Sequence, residues 1–221
     1  MANIIVAGGL GTLGRAVVQE LRGRGHQVAV VDMAPAPASP DGIVLGGVDL
    51  SDEGAVSQAY GQAALALGSV DGLVNVAGGF VWEQMEGGTI DNWDRMFRMN
   101  LRTAAVSSSA VLPHIAPGGA IVNVGAAAAA NVAAGMAPYA ASKAGVMALT
   151  ESLADELKGR GVRVNAVLPT IIDTPVNRQD MPDADTSAWV KPESAAKVIA
   201  FLLSPDAGSV TGVGIRLSLA G

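Results

Sequence analysis

Short β-branched runs alternate along this chain with longer stretches of helical period. Residues 3–7 (NIIVA), 27–32 (QVAVVD), 42–46 (GIVLG), 72–77 (GLVNVA), 120–125 (AIVNVG), 162–169 (VRVNAVLP) and 214–219 (GIRLSL) read as strands. Most are continuous apolar runs, the pattern of strands covered on both faces in a parallel sheet. Between them, 12–24, 52–67, 91–116, 138–160 and 192–203 carry helical patterns, with Ser51 and Asp91 placed to cap the second and third. The alternation predicts one doubly wound α/β domain over 1–221, with a mostly parallel seven-stranded sheet and helices on both faces. One crossover departs from this. Residues 33–41 (MAPAPASPD) hold three prolines and are expected to be a loop rather than a helix. The irregular segment 170–191 follows a strand, at the sheet edge where α/β domains bind ligands, and is expected to be a substrate loop or lid.

Composition narrows the chemistry. The chain has 221 residues, 50% of them hydrophobic but only 4% aromatic, so Ala, Val, Leu and Gly must fill the core. The net charge is −6 with no basic block, which argues against nucleic acid or an anionic membrane as partner. There is no cysteine, and the two histidines, His26 and His114, lie in different segments, so neither thiolate chemistry nor a metal site is expected. The N-terminus has no basic, apolar leader pattern, and 124–138 is too rich in Ala and Gly to suggest a membrane span. A cytoplasmic protein acting on a small molecule is the expectation.

Residues 4–17 (IIVAGGLGTLGRAV) place Gly8, Gly9, Gly11 and Gly14 between the first strand and the first helix. Such glycines let the backbone turn tightly and approach a pyrophosphate, which then meets the free N–H groups of the helix start, here those of Thr12, Leu13 and Gly14. The second strand ends in Asp32, 18 residues past Gly14, near the spacing of an acid that accepts hydrogen bonds from an adenosine ribose. Strand, glycine turn, helix and acid together make a Rossmann-type dinucleotide site. A carboxylate at 32 would repel a 2′-phosphate and favours NAD(H), while Arg15, able to reach back toward a phosphate, keeps NADP(H) open.

Tyr139 and Lys143 stand four residues apart on one face of the fourth predicted helix, just after Pro138. An ammonium beside a phenol favours the phenolate, so the pair suits general acid–base work near neutral pH. Taken alone, the spacing is also that of a tyrosine packed beside a snorkelling lysine.

In this order, AGGLGTLG (7–14), Asp32, VDLSD (48–52), NVAGG (75–79), MNL (99–101), YAASK (139–143) and LPTIIDTP (168–175) resemble the short-chain dehydrogenase/reductase family over almost the whole chain. The resemblance implies that Gly8, Gly11, Thr12, Leu13 and Gly14 line the cofactor loop. Asp49 and Leu50 would then flank the adenine, and Asn75, Ala77 and Gly78 would support the ribose side. Pro169, Ile172 and Thr174 would hold the nicotinamide. Lys143 would bind the nicotinamide ribose and tune Tyr139, and Asn100 would kink its helix and hold a water of the proton relay.

Most of that family carries a serine 13 residues before the tyrosine, and here that position is Ala126. One missing donor to a substrate oxygen costs about 10²–10³ in rate. The dihydropteridine reductase branch also lacks this serine, and it resembles the chain in GGLGTLG, in VAGGF (76–80) and over 168–189. The resemblance implies NADH-dependent reduction of a pterin-like quinonoid, which accepts hydride readily, with Tyr139 donating the proton. Phe80, Trp82, Met181 and Trp189 are the candidates for a pocket around a flat ring. The alternatives are an alcohol dehydrogenase or carbonyl reductase of the same family and, less in accord with Tyr139, Lys143 and Asn100, a non-catalytic NAD-sensing protein. Small residues on the helices at 91–116 and 138–160, read with the family resemblance, suggest a homodimer, with a homotetramer as the larger option.

Overall fold

A computed structural model describes residues 1–218. Seven strands form one sheet in the order β3-β2-β1-β4-β5-β6-β7. They are β1 (Asn3–Ala7), β2 (Gln27–Val31), β3 (Ile43–Leu45), β4 (Val70–Asn75), β5 (Ile115–Val124), β6 (Arg163–Pro169) and β7 (Gly214–Leu217). Each neighbouring pair is parallel. The expected last strand, 214–219, is found over Gly214–Leu217, and residue 219 lies outside the described residues.

The alternation of side chains sorts the core into two layers. Ile4, Val6, Val30, Val122 and Val167 face α1 (Thr12–Gly23) and α7 (Pro192–Leu203), meeting Val17, Leu21, Ile199 and Leu202. Ile5, Val31, Leu73, Ile121 and Val164 face the other way, against Val56, Tyr60, Val106 and Leu153. These last come from α2 (Glu53–Leu67), α4 (Thr103–Val111) and α5 (Ala137–Glu156). Both faces of the strands are therefore buried, which is why they read as unbroken apolar runs. No helix among the described residues is long and apolar enough to cross a membrane.

Four boundaries differ from expectation. Asp52, not Ser51, caps α2, its Oδ1 accepting from Ala55 N at 2.8 Å. Ser51 is drawn instead toward Asp49 and Arg98. Thr89, not Asp91, caps α3 (Ile90–Met96), because the Thr89 hydroxyl accepts from Asp91 N. The stretch 91–116 is not one helix. It runs as α3, a π-helical turn Phe97–Arg102 and α4, and β5 already begins at Ile115. Pro113 ends helical bonding there, since it offers no N–H. The segment 170–191 is also less irregular than expected, holding α6 (Pro175–Asp180) and a short 3₁₀ turn at Thr186–Ala188. The crossover from β2 to β3 contains no helix, as its prolines require.

Candidate active site

The sheet order reverses between β2-β1 and β1-β4, so the loops after β1 and β4 open a crevice at the C-terminal edge. The two loops touch. Val76 N and Ala77 N both donate to Ala7 O, at 2.9 and 3.1 Å. Gly8 has φ +83°, and a Cβ there would lie 2.6 Å from Ala77 N. At Gly14 a Cβ would lie 2.1 Å from Gly8 O, so only glycine lets α1 start against the turn. Gly11 precedes α1 without a side-chain cap, and the first N–H groups of a helix have no partner within it. Leu13 turns its side chain into the core, leaving backbone toward the loop.

Asp32 braces this loop. Its Oδ2 accepts from Leu10 N at 2.8 Å and its Oδ1 from Ala34 N at 2.9 Å. Arg15 lies against the same loop, with Nε donating to Leu10 O at 2.8 Å. A glycine cradle that any Cβ would fill, a helix start behind it and an acid beside it fit the diphosphate and ribose of a dinucleotide.

Beyond Asp32, Asp49 accepts from Ser51 N, from Ser51 Oγ and from Arg98 Nη2, at 2.9, 2.7 and 2.7 Å. The Ser51 bonds, more than the Arg98 guanidinium, hold its carboxyl below the usual range. Two cofactor candidates turn away from the crevice. Leu50 is buried in the core with Val56 and Tyr60. Asn75 is also buried, its Nδ2 donating to Ser108 Oγ and Asn123 Oδ1 at 3.1 and 2.8 Å, so the side chain braces the strand end. Ala77 and Gly78 line the crevice floor, a Cβ on Gly78 lying 2.6 Å from Asn100 Oδ1 and 3.2 Å from Lys143 Nζ.

Asn100 sits in the π-helical turn, 1% exposed. Its Oδ1 accepts from Gly79 N at 2.9 Å, and its Nδ2 donates to Gly79 O and to Ser142 Oγ at 3.1 and 3.0 Å. Ser142 Oγ in turn donates to Tyr139 O at 2.7 Å. The helix departs from α geometry at Asn100 as a π-helical turn, and the amide hydrogens of Asn100 are committed to protein. Asn100 clamps the loop after β4 to the start of α5. Ser142, which the sequence reading passed over, is the link, and its only sequence signal is its place three residues after Tyr139.

Lys143 is 5% exposed, and its Nζ donates to Val124 O at 2.8 Å. Burial pushes its ammonium down to about 8 and pushes the half-buried Tyr139 phenol up to about 12. This corrects the expectation of a phenol acidified by its amine neighbour. Both groups are desolvated, the ammonium is turned to a carbonyl, and burial is the dominant influence on each.

The aromatic candidates separate. Phe80, 48% exposed, meets the Tyr139 ring edge-on, with centroids 5.0 Å apart and planes at 82°. Trp82 packs over Gly135 and donates through Nε1 to Ala134 O at 3.1 Å, joining the loops after β4 and β5. Trp189 is buried beside Val190 and supports the base of its loop rather than a ring-binding face. Met181 is half-buried just after α6. Pro169 ends β6, Ile172 bridges to Val190, and Thr174 caps α6 by accepting from Asn177 N at 3.1 Å. Ala126 is 3% exposed in extended backbone at the end of β5.

Comparison with known proteins accords with this geometry. Residues 2–185 match the family model for short chain dehydrogenases. The chain belongs to the short-chain dehydrogenase/reductase family. It is therefore an NAD(P)-dependent oxidoreductase of that family. It is 34% identical to the inactive 2-(S)-hydroxypropyl-CoM dehydrogenase 2 of Xanthobacter autotrophicus, over 85% of this chain and 91% of that protein. It is 31% identical to the D-threitol dehydrogenase of Mycolicibacterium smegmatis, over 94% of this chain and 88% of that one. Among solved structures, a short chain dehydrogenase from Burkholderia cenocepacia in complex with NADP superposes with a TM-score of 0.85 at 29% identity, covering 98% of this chain and 96% of that one.

Proposed function

We propose that this short-chain dehydrogenase/reductase is an NADH-dependent reductase of a conjugated, activated acceptor, with a quinonoid dihydropterin as the model substrate. The observation that carries the reading is the pairing of Ala126 with a neutral Tyr139. With Ala at 126, that position offers no hydroxyl to polarise an unactivated carbonyl, so the acceptor must take hydride with little electrophilic help. The likeness of 168–189 to the dihydropteridine reductase branch supports the same class of acceptor.

A reduced dinucleotide held by its diphosphate at the glycine cradle would supply the hydride. Gly8, Gly11 and the first turn of α1 would hold the diphosphate, and Asp32 would lie on the adenosine side, its charge disfavouring a 2′-phosphate. Lys143 stays protonated below about 8 and fixes the floor of the crevice through Val124. Tyr139, protonated up to about 12, carries its proton throughout the neutral range and gives it to the acceptor. The neutral phenol is the form that reduction needs, and burial also makes it a weaker acid than a free phenol, so proton transfer from it suits an acceptor that becomes strongly basic as hydride arrives. Phe80 walls one side of the phenol ring, edge-on. By the same family likeness, the small-residue faces of α4 and α5 would pair two copies of the chain.

The second reading, an NAD(P)-linked alcohol dehydrogenase or carbonyl reductase, draws on the dehydrogenase relatives and on the NADP complex of the Burkholderia cenocepacia protein. The experiment follows NADH and NADPH consumption with quinonoid dihydropterin beside ketones, 3-oxoacyl esters and quinones. Fast turnover of the dihydropterin with NADH, lost by about 10²–10⁴ in Tyr139→Phe, is the expected result. Turnover confined to simple ketones, or a preference for NADPH, overturns the reading.

A further inference from the structure

The π-helical turn Phe97–Arg102 is grasped at both ends of the crevice. On the catalytic side, Asn100 holds Gly79 and Ser142. On the other side, Arg98 reaches the segment between β3 and α2, with Nε donating to Ser51 Oγ at 2.8 Å and Nη2 to Asp49 Oδ2 at 2.7 Å. Arg102 Nε donates to Ser51 O at 2.8 Å. Ser51 is buried and is held by three residues, Asp49, Arg98 and Arg102. The two arginines line a groove of about 560 Å³ beside the start of α2.

This segment stands next to the adenosine side. Asp32 N donates to Leu45 O and Val48 N donates to Asp32 O, both at 3.0 Å, so Asp49 follows directly on the strand end that carries Asp32. Asp49 Oδ1 already accepts twice from Ser51 and Oδ2 once from Arg98, leaving acceptor capacity on Oδ2. Single π turns inside α-helices are frequent at functional sites, and this one carries Arg98 and Asn100 two residues apart.

We propose that Arg98 is a positioning residue that couples occupancy of the adenosine side to the Asn100 clamp, so that a bound dinucleotide tightens the loop carrying Gly79 and Phe80. The inference rests on the dinucleotide reading above and goes beyond it, because it assigns to a residue remote from the reacting atoms a role in assembling them. The connection runs by hydrogen bonds from Asp49 and Ser51 to Arg98, along the backbone of the π-helical turn to Asn100, and by hydrogen bonds again to Gly79 and Ser142. Arg98 itself is 65% exposed, so its ion pair adds little to global stability and is screened by salt.

The test uses the intact protein and ADP-ribose, which carries the adenosine and diphosphate without a nicotinamide, read by amide hydrogen exchange. In the wild type, ADP-ribose should slow exchange at least about fivefold over 8–14 and also over 97–103 and 78–82. In Arg98→Met the protection over 8–14 should persist and that over 97–103 and 78–82 should disappear. Arg98→Lys, which keeps a cation for Asp49, should restore part of it, and 1 M salt should weaken the distal protection in the wild type. Protection confined to 8–14 in the wild type, or distal protection unchanged in Arg98→Met, overturns the coupling while leaving the dinucleotide reading intact. No protection over 8–14 overturns both. If Arg98→Met fails to fold, the arginine carries the fold rather than the coupling, and the proposal falls.

Discussion

Replacing Lys143 with methionine should make this protein more stable and abolish its activity. The ammonium is buried and its pKa falls from 10.5 to about 8. That drop corresponds to about 3 kcal/mol of burial cost on the charged form at pH 7. Methionine has similar length, carries no charge and suits irregular apolar space. The change gives up the charge-assisted bond to Val124 O, worth about 1.5–2 kcal/mol. The net expectation is a gain of about 1–2 kcal/mol, or about 4 °C in Tm for a chain of this size. The pH dependence has a definite sign. The folded pKa lies below the unfolded one, so between about 8 and 10.5 the unfolded chain holds more protons, and this group makes wild-type stability rise with pH across that window. The cost of the charge should therefore shrink from about 3 kcal/mol at pH 7 to under about 1 kcal/mol at pH 10, so that Lys143→Met, lacking a bond worth about 1.5–2 kcal/mol, should pass from more stable than wild type at pH 7 to less stable at pH 10. Urea denaturation of both proteins at pH 7 and pH 10, with equal m-values, measures the difference. A variant less stable than wild type by more than about 1 kcal/mol at pH 7, or a difference that does not change with pH, would refute the reasoning.

Two further expectations concern single positions. Ala126→Ser should raise kcat/KM for simple ketones about tenfold and leave conjugated acceptors within about twofold, because only the former need a donor at that place; a steady-state comparison of the two substrate classes decides it. Gly8→Ala should cost about 1–2 kcal/mol of stability from the positive φ and weaken NADH binding at least about tenfold, since its Cβ would press on Ala77 N. Fluorescence titration with NADH checks it, and an unchanged affinity would remove the glycine cradle from the cofactor site.

Much of the architecture was legible in the residues because its causes are local. Unbroken apolar runs report strands covered on both faces, and prolines at 35, 37 and 40 report the missing crossover helix. The glycine turn was legible because Gly8 and Gly14 answer to backbone geometry that no other residue meets. What was not legible depends on partners distant in sequence. Ser51 looked like a cap until Asp49 and Arg98 claimed it, and Thr89 takes the role expected of Asp91. The split of the 91–116 segment depends on Asn100 finding Gly79 and Ser142. The direction of the Tyr139 and Lys143 pKa changes follows from burial, which spacing along a helix does not report.

The short parallel bridge between Ile172 and Val190, with Asp173 N donating to Val190 O and Val190 N to Ile171 O at 2.8 Å each, brings the two ends of the segment after β6 together at its neck. A segment closed in this way is insulated from the sheet beneath it. Its interior can lengthen, shorten or change composition without disturbing β6 or α7, because the cost of closing a loop grows only slowly with its length. Transplanting the span between these two residues from one relative to another is thus a direct test of whether it sets substrate preference on an unaltered sheet.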